Sequence, residues 1–135
     1  MIEVALFDHL TSDAGVTALV ETRVFPLVIP QRSAQTVLRH PCLVYARLDV
    51  RRQQKFCETD GLVRSNFQLD CYAPTYAESG NVAAATRAAL IDFRGMMGAV
   101  RVRAVFLDSQ GDFVEPDPGL YRVVQRFIIW HDESP

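Results

Sequence analysis

At the start of the chain, apolar residues recur every three to four positions, as they do on one face of a helix. These residues are Ile2, Ala5, Leu6 and Leu10. The polar residues 11–13 interrupt the pattern and can cap a second short helix that runs through Val20. We therefore expect two short helices, followed at Val24 by extended backbone, because Pro26 cannot continue a helix.

Residues 26–41 form a connection that is long for a compact domain. Prolines at positions 26, 30 and 41 favour an extended and pre-ordered path for this segment. Such a segment can reach a neighbouring subunit, or it can wrap around its own domain. On the sequence, both interpretations stay open.

Residues 62–72 show the cleanest alternation of the chain and predict a strand with one face on a core. That face consists of Val63, Ser65, Phe67, Leu69 and Cys71. A β-rich run at 42–50 precedes it, and the polar residues 51–61 between the two runs end in the turn signal Asp60-Gly61. The two runs are therefore predicted to form a hairpin with a protruding polar tip.

A helix is predicted over about residues 75–94. Thr75 and Glu78 have the spacing of a capping box, in which each side chain bonds a free backbone amide of the first turn. Apolar residues follow at helical spacing, and Gly95 provides a stop. These apolar residues are Val82, Ala85, Ala89 and Phe93.

A second hairpin is predicted at the end of the chain. Residues 100–107 alternate, and this alternation assigns Val102 and Phe106 to one face. Aspartate, glycine and proline concentrate in residues 108–119, which are therefore predicted to be a loop. The last strand is predicted over about residues 120–131, with large apolar side chains on both faces near its end, as in a central strand.

The order of these elements predicts an α+β domain. Its antiparallel sheet would come from two β-hairpins, with the long helix and the short N-terminal helices packed on one face. We expect one domain over residues 1–135, which is a common domain length. The side chains predicted to be buried are Phe67, Leu69, Val82, Ala85, Ala89, Phe93, Val102, Phe106, Phe127 and Ile129.

Composition excludes several classes of protein. About half of the residues are hydrophobic (49%) and 22% are charged, so intrinsic disorder is not expected. A net charge of −2 gives no indication of a surface that holds nucleic acid. The start carries Glu3 and Asp8 where a signal peptide would be basic, and no apolar run has the length of a membrane span. We therefore expect a soluble protein of the cytoplasm.

Candidate chemistry is sparse. The three cysteines Cys42, Cys57 and Cys71 contain no CxxC pair, and their odd number argues against a disulfide framework. The only group that resembles a metal site is the acidic loop 108–117, yet its residues also build turns and lack the spacing of a calcium loop. We expect no catalytic residue, no metal and no cofactor.

Four segments, in one order along nearly the whole chain, resemble the tail-completion (head-to-tail joining) family of long-tailed bacteriophages and prophages. LVETRVFP at 19–26 is similar to the family's R-V-aromatic-P step, and PCLVY at 41–45 to its P-x-x-V-Y strand entry. FQLDCYAPTYAE at 67–78 resembles the junction Q-x-D-x-Y-A-x-x-Y-x-E. EPDPGLYR at 115–122, with FIIW at 127–130, resembles the ending of the family.

The resemblance implies a structural virion protein and not an enzyme. Such a subunit would form a ring, by this resemblance a hexamer, at the head-proximal end of the tail. There it would terminate the tail tube and join the tail to the head connector. Its partners would be copies of itself, the tail-tube protein and the connector proteins, with DNA passing through the ring without specific binding. It would assemble in the host cytoplasm and remain at the head-tail junction of the virion.

Two segments are predicted to carry the subunit contacts, because one is long and rich in proline and the other is a polar tip. The candidate residues are Arg51, Arg52 and Lys55 in the tip, with Pro30, Arg32 and Arg39 in the connection. One alternative function is a connector adaptor or a minor tail protein of similar fold. A second alternative is a small metal-binding or ligand-binding domain that uses the acidic 108–117 loop.

Overall fold

The computed structural model describes residues 1–54, 59–116 and 119–133. The helices are α1 (Ile2–Ser12), α2 (Ala14–Val20), α3 (Ala34–Val37) and α4 (Tyr76–Leu90), and a 3-10 turn (Gln31–Ser33) precedes α3. The strands are β1 (Val24–Pro26), β2 (Cys42–Gln54), β3 (Thr59–Ala73), β4 (Gly95–Met97), β5 (Val100–Glu115) and β6 (Leu120–Asp132). None of the described helices combines the length and the apolar character that a membrane crossing needs.

A curled sheet of six strands forms the frame of the molecule, in the order β1-β2-β3-β6-β5-β4. The core lies between one face of this sheet and the helices α1, α2 and α4. Phe67 of β3 and Phe127 of β6 are register partners at its centre, and both are almost fully buried. Leu6 of α1 and Val20 of α2 belong to the same apolar cluster. The predicted α+β class is therefore confirmed, with the two N-terminal helices and α4 packed on one face of the sheet.

The prediction of a purely antiparallel sheet from two hairpins is wrong. β1 pairs with β2 in parallel, and two strands of three residues each, β1 and β4, extend the sheet beyond the hairpins. Three residues are too few to show an alternation of period two, so the pattern of the sequence does not reveal such strands. Gly95, read as a helix stop, is instead the first residue of β4.

Helix α4 begins as predicted and ends earlier. The Thr75 hydroxyl oxygen accepts a hydrogen bond from the backbone N–H of Glu78 at 3.2 Å, so Thr75 is its N-cap. The helix stops at Leu90, four residues before the predicted end, because Ile91 adopts extended backbone and Asp92 has a φ of +58°. Phe93 still packs against the core from outside the helix.

The prediction that Phe106 is buried is wrong, since 52% of this residue is exposed. A β-bulge between Val102 and Ala104 inserts one extra residue into β5 and reverses the alternation beyond it. Val105 is therefore buried in place of Phe106. Ala85, Ala89 and Phe93 are partly buried, and the remaining predicted core residues are buried.

The long connection at 26–41 contacts its own domain. Val37 of α3 is buried against Cys42 and Leu120, the first residues of β2 and β6. This contact lies on the face of the sheet opposite to α1, α2 and α4. Two apolar residues of the same connection stay outside this contact, since Leu27 is 70% and Val28 is 69% exposed. The connection therefore packs on its own domain through α3, whereas Leu27 and Val28 before α3 are exposed to solvent.

Candidate assembly surface

The predicted interface residues lie at opposite ends of β2. Arg39 is close to its start, in the connection that also carries Pro30 and Arg32. Arg51 lies nine residues beyond Cys42, a distance of about 30 Å along an extended strand. Lys55, the sixth candidate, lies outside the described residues. The structure therefore separates the candidates into two groups and does not bring them together.

The two arginines of β2 differ in their surroundings. The Arg52 guanidinium donates two hydrogen bonds to the Glu133 carboxylate, at 2.7 and 3.2 Å, and these bonds hold the pKa of Glu133 below its usual range. Arg51 is exposed and has no ion pair with any residue of the described ranges. Arg51 is thus available to a carboxylate of another chain, while Arg52 already binds Glu133 of its own chain.

Strand β2 leaves most of its outer edge open. Strand β1 covers that edge only at residues 43–45, so within the described chain no strand adjoins residues 46–54 on this side. Side chains on both faces are solvent-exposed here, among them Leu48 (48%), Asp49 and Arg51. Backbone N–H and C=O groups along such an edge can pair with a further strand.

Strand β5 leaves an even longer edge open on the other side of the sheet. Strand β4 pairs only with residues 100–102, and no other described strand adjoins residues 104–115 on that side. Three apolar side chains of this stretch are half exposed, namely Phe106 (52%), Phe113 (51%) and Val114 (56%). The edge is therefore both unpaired and partly apolar.

The prediction that residues 108–119 form a loop is wrong for residues 108–115, which continue β5. Asp112 accepts a hydrogen bond from the Tyr76 hydroxyl, and Glu115 lies 3.6 Å from the Arg122 guanidinium. Asp117 lies outside the described residues. Within the described ranges, His, Cys, Asp and Glu side chains form no cluster of three that could hold a metal.

Arg122 connects the end of β5 to the centre of the sheet on the face opposite α4. Its guanidinium lies 4.0 Å from the Asp70 carboxylate and 5.2 Å from the centre of the Phe113 ring. Burial raises the pKa of Asp70, an effect that its contacts with Gln68 and Arg122 oppose. This charged group positions Phe113 and Glu115 along the open edge of β5.

Comparison with known proteins decides the family. Residues 4–132 match the family described as tail completion protein gp17. The chain belongs to this family. The resemblance that the sequence motifs indicated is confirmed, and the members of the family are structural proteins of phage tails.

The fold of this tail completion family member is similar to that of a solved chain in the "Virion of native gene transfer agent (GTA) particle". The two chains share 18% sequence identity with a TM-score of 0.78, over 98% of this chain and 95% of the other. At this identity the similarity concerns the fold. No curated protein matches the sequence significantly.

The structure of this family member contains a serine–histidine contact that sequence spacing did not reveal. The Ser65 hydroxyl lies 2.8 Å from Nε2 of His131, and both residues are buried. The two residues are 66 positions apart and meet because Val63 pairs with His131 across β3 and β6. Ser65 has no exposed surface, so a substrate cannot reach its hydroxyl, and the contact serves the core.

The described cysteines also lie in the core. Burial raises the pKa of both Cys42 and Cys71 to about 12, so these thiols stay protonated and unreactive near neutral pH. The Cys71 sulfur lies 3.8 Å from the Gln125 amide oxygen, inside a buried polar group under α4. In this tail completion family member, the described surface features that can support assembly include the open strand edges and the exposed part of the connection.

Proposed function

We propose that the protein is a ring-forming subunit at the head-proximal end of a phage tail, where it terminates the tail tube and joins the tail to the head connector. The match of residues 4–132 to the tail completion family carries this proposal. The ring would be a homo-hexamer of chains that each form one domain over residues 1–135. Its other partners would be the tail-tube protein and the connector proteins.

The similar chain in the gene transfer agent virion supports a place inside a phage-like particle. We infer that the subunit assembles in the host cytoplasm and stays at the head-tail junction of the finished virion. A net charge of −2 suits a channel through which DNA slides, because contacts of arginine or lysine with phosphates would strengthen binding.

In this proposal the protein acts through shape and contact area and not as an enzyme. Among the described residues, two strand edges have no neighbouring strand along much of their length, and apolar side chains are exposed beside them. Such edges favour association with further chains. The buried thiols and the buried Ser65–His131 contact contribute to the stability of the subunit that assembles.

Deletion of the gene, followed by electron microscopy of the particles, tests the proposal. Loss of a tail terminator should yield tails of uncontrolled length and heads without tails, and the wild-type gene in trans should restore normal particles. A connector adaptor, the alternative with a similar fold, would leave tails of normal length that fail to join heads. Normal joined particles after deletion would contradict both functions.

A further inference from the structure

We propose that copies of this chain join head to tail through their two open sheet edges, with residues 46–54 of β2 in one copy against residues 104–115 of β5 in the next. This inference rests on the proposed function in one respect, namely that the protein assembles with copies of itself. It adds which surfaces of the two copies are in contact, in which direction the two strands pair, and which side chains favour this pairing over others.

The two open edges have comparable lengths, and the short strands that cover the rest of each edge lie at opposite ends of the sheet. The open part of β2 spans nine residues, or about 30 Å, and the open part of β5 spans twelve residues, or about 40 Å. Strand β1 covers the first residues of β2, whereas β4 covers the first residues of β5, which lie at the opposite end of the sheet. A staggered pairing therefore places the two edges side by side without a clash of β1 and β4.

Strand direction favours the same arrangement. Three successive antiparallel pairings separate β2 from β5, so these two strands run in opposite directions within one sheet. A second copy in the same orientation would therefore place its β5 antiparallel to the β2 of the first. Because each copy then uses two different edges, the contact repeats and can close into a ring.

Charge complementarity identifies a second copy as the partner. The open part of β2 carries three arginines against the single carboxylate of Asp49. Arg47 is paired with Glu3 and Arg52 with Glu133, so Arg51 is the arginine of this stretch that has no ion pair within the described residues.

The open part of β5 carries the carboxylates of Asp108, Asp112 and Glu115 and no cation. Asp112 accepts a hydrogen bond from Tyr76 and Glu115 lies near Arg122, whereas Asp108 has no ion pair within the described residues. Pairing of β5 with another β5 would bring carboxylates together, and pairing of β2 with another β2 would bring arginines together. Repulsion between like charges on adjacent strands disfavours both the β5–β5 and the β2–β2 pairing.

The exposed apolar side chains supply the remaining part of the contact. Leu48 lies on the β2 edge, and Phe106, Phe113 and Val114 lie on the β5 edge, each about half exposed. Pairing of the edges would remove these side chains from water, which favours association. It would also pair the backbone groups that both edges present to solvent.

Charge reversal of one residue on each edge tests the pairing. Arg51 and Asp108 are the appropriate choices because both are exposed and neither has an ion pair within the described residues. We expect Arg51→Glu alone and Asp108→Arg alone each to lower the yield of joined particles by about tenfold or more, in a host that lacks the wild-type gene. Co-expression of the two variants should restore the yield, since alternating copies again bring opposite charges together.

Matched controls separate the edges from charge in general. Arg87→Glu in α4 and Asp8→Arg in α1 change exposed charges on the helices that cover one face of the sheet, and both should leave the yield at the wild-type level. Urea unfolding of each purified variant should show wild-type stability, so that a loss of particles reflects assembly. The inference is overturned if either edge variant assembles normally, or if co-expression of two folded but defective variants restores nothing.

A covalent test reads the contact directly in assembled particles. Leu48→Cys is combined in turn with a cysteine at each residue from Phe106 to Val114, and the particles are oxidised before denaturing electrophoresis. A ladder of linked copies in at least one combination is expected, and no ladder in any of them contradicts edge pairing. If electron microscopy shows rings of this protein although no ladder forms, the proposed function stands and the edge inference alone fails. If no ring of this protein is present, the proposed function fails.

Discussion

Individual polar side chains stabilise the interior of this protein through a small network under α4. The Gln125 amide nitrogen donates to the Ala83 carbonyl oxygen at 2.9 Å and to the Gln110 side-chain oxygen at 3.1 Å. The Thr86 hydroxyl donates to the Gln125 oxygen. Gln125 and Thr86 have no exposed surface, so a hydrogen bond lost between them cannot be replaced by bulk water.

Replacement of Gln125 by leucine should therefore destabilise the fold. We expect the free energy of unfolding to fall by about 1–3 kcal/mol, because the variant loses the buried hydrogen bonds that the Gln125 side chain makes with Ala83 and Thr86. Urea unfolding followed by circular dichroism measures the change. Gln110→Leu is the control, since Gln110 is exposed and its loss should cost less than about 0.5 kcal/mol. Equal stability of Gln125→Leu and the wild type would show that the network contributes little.

His131 should make stability depend on pH. Burial lowers the pKa of His131 below its ordinary value of 6.5, so the folded state takes up the proton less readily than the unfolded state. Its contribution to stability is complete above pH 6.5 and is lost as the pH falls through the folded-state pKa. Between pH 7.5 and 5.5, the wild type should therefore lose more stability in urea unfolding than His131→Gln does. His40→Gln, at an exposed position, should behave as the wild type, and equal losses in all three proteins would contradict this role.

At the scale of elements, the sequence pattern locates long strands and helices well and irregularities poorly. The alternation of β3 and the cap of α4 at Thr75 are both found as predicted. A bulge cannot be seen in the pattern, because residues 100–107 alternate without interruption while the bulge changes which of them face the core. The aspartates and the glycine of residues 108–112 suggested a loop, and this composition concealed the continuation of β5 to Glu115.

Because of the β5 bulge, truncation of Val105 and of its neighbour Phe106 should differ in their effect on stability. Val105→Ala should lower the free energy of unfolding of the monomer by about 2 kcal/mol, because it removes two buried methyl groups. Phe106→Ala, although it removes a larger side chain, should change that free energy by less than about 0.5 kcal/mol, since Phe106 is half exposed. Urea unfolding of the two variants decides the point. A larger loss for Phe106→Ala would place Phe106 in the core and the bulge elsewhere.

At the scale of the whole molecule, the assembly surface follows from topology more than from local sequence. Sequence motifs indicated the family, and the length of the connection together with its prolines singled it out. The open edges of β2 and β5 become visible only when the strand order is known, because β1 and β4 decide which residues remain uncovered. Arg51 and Arg52 were predicted as contact residues from a polar tip, and that role remains a prediction. From the sequence, the acidic residues of β5 were predicted to form a turn, with a metal or ligand site as the alternative.

The exposed apolar part of the connection predicts a defect in assembly without a defect in folding. Leu27 and Val28 are about 70% exposed, so the double variant Leu27→Ser/Val28→Ser should unfold within about 0.5 kcal/mol of the wild type. If this segment contacts a neighbouring chain, the same variant should yield fewer joined particles in electron microscopy of complemented lysates. Val37→Ala provides the opposite control, because its buried side chain should contribute to the stability of the subunit itself. A normal yield of particles from the double variant would restrict the contacts of the connection to its own domain.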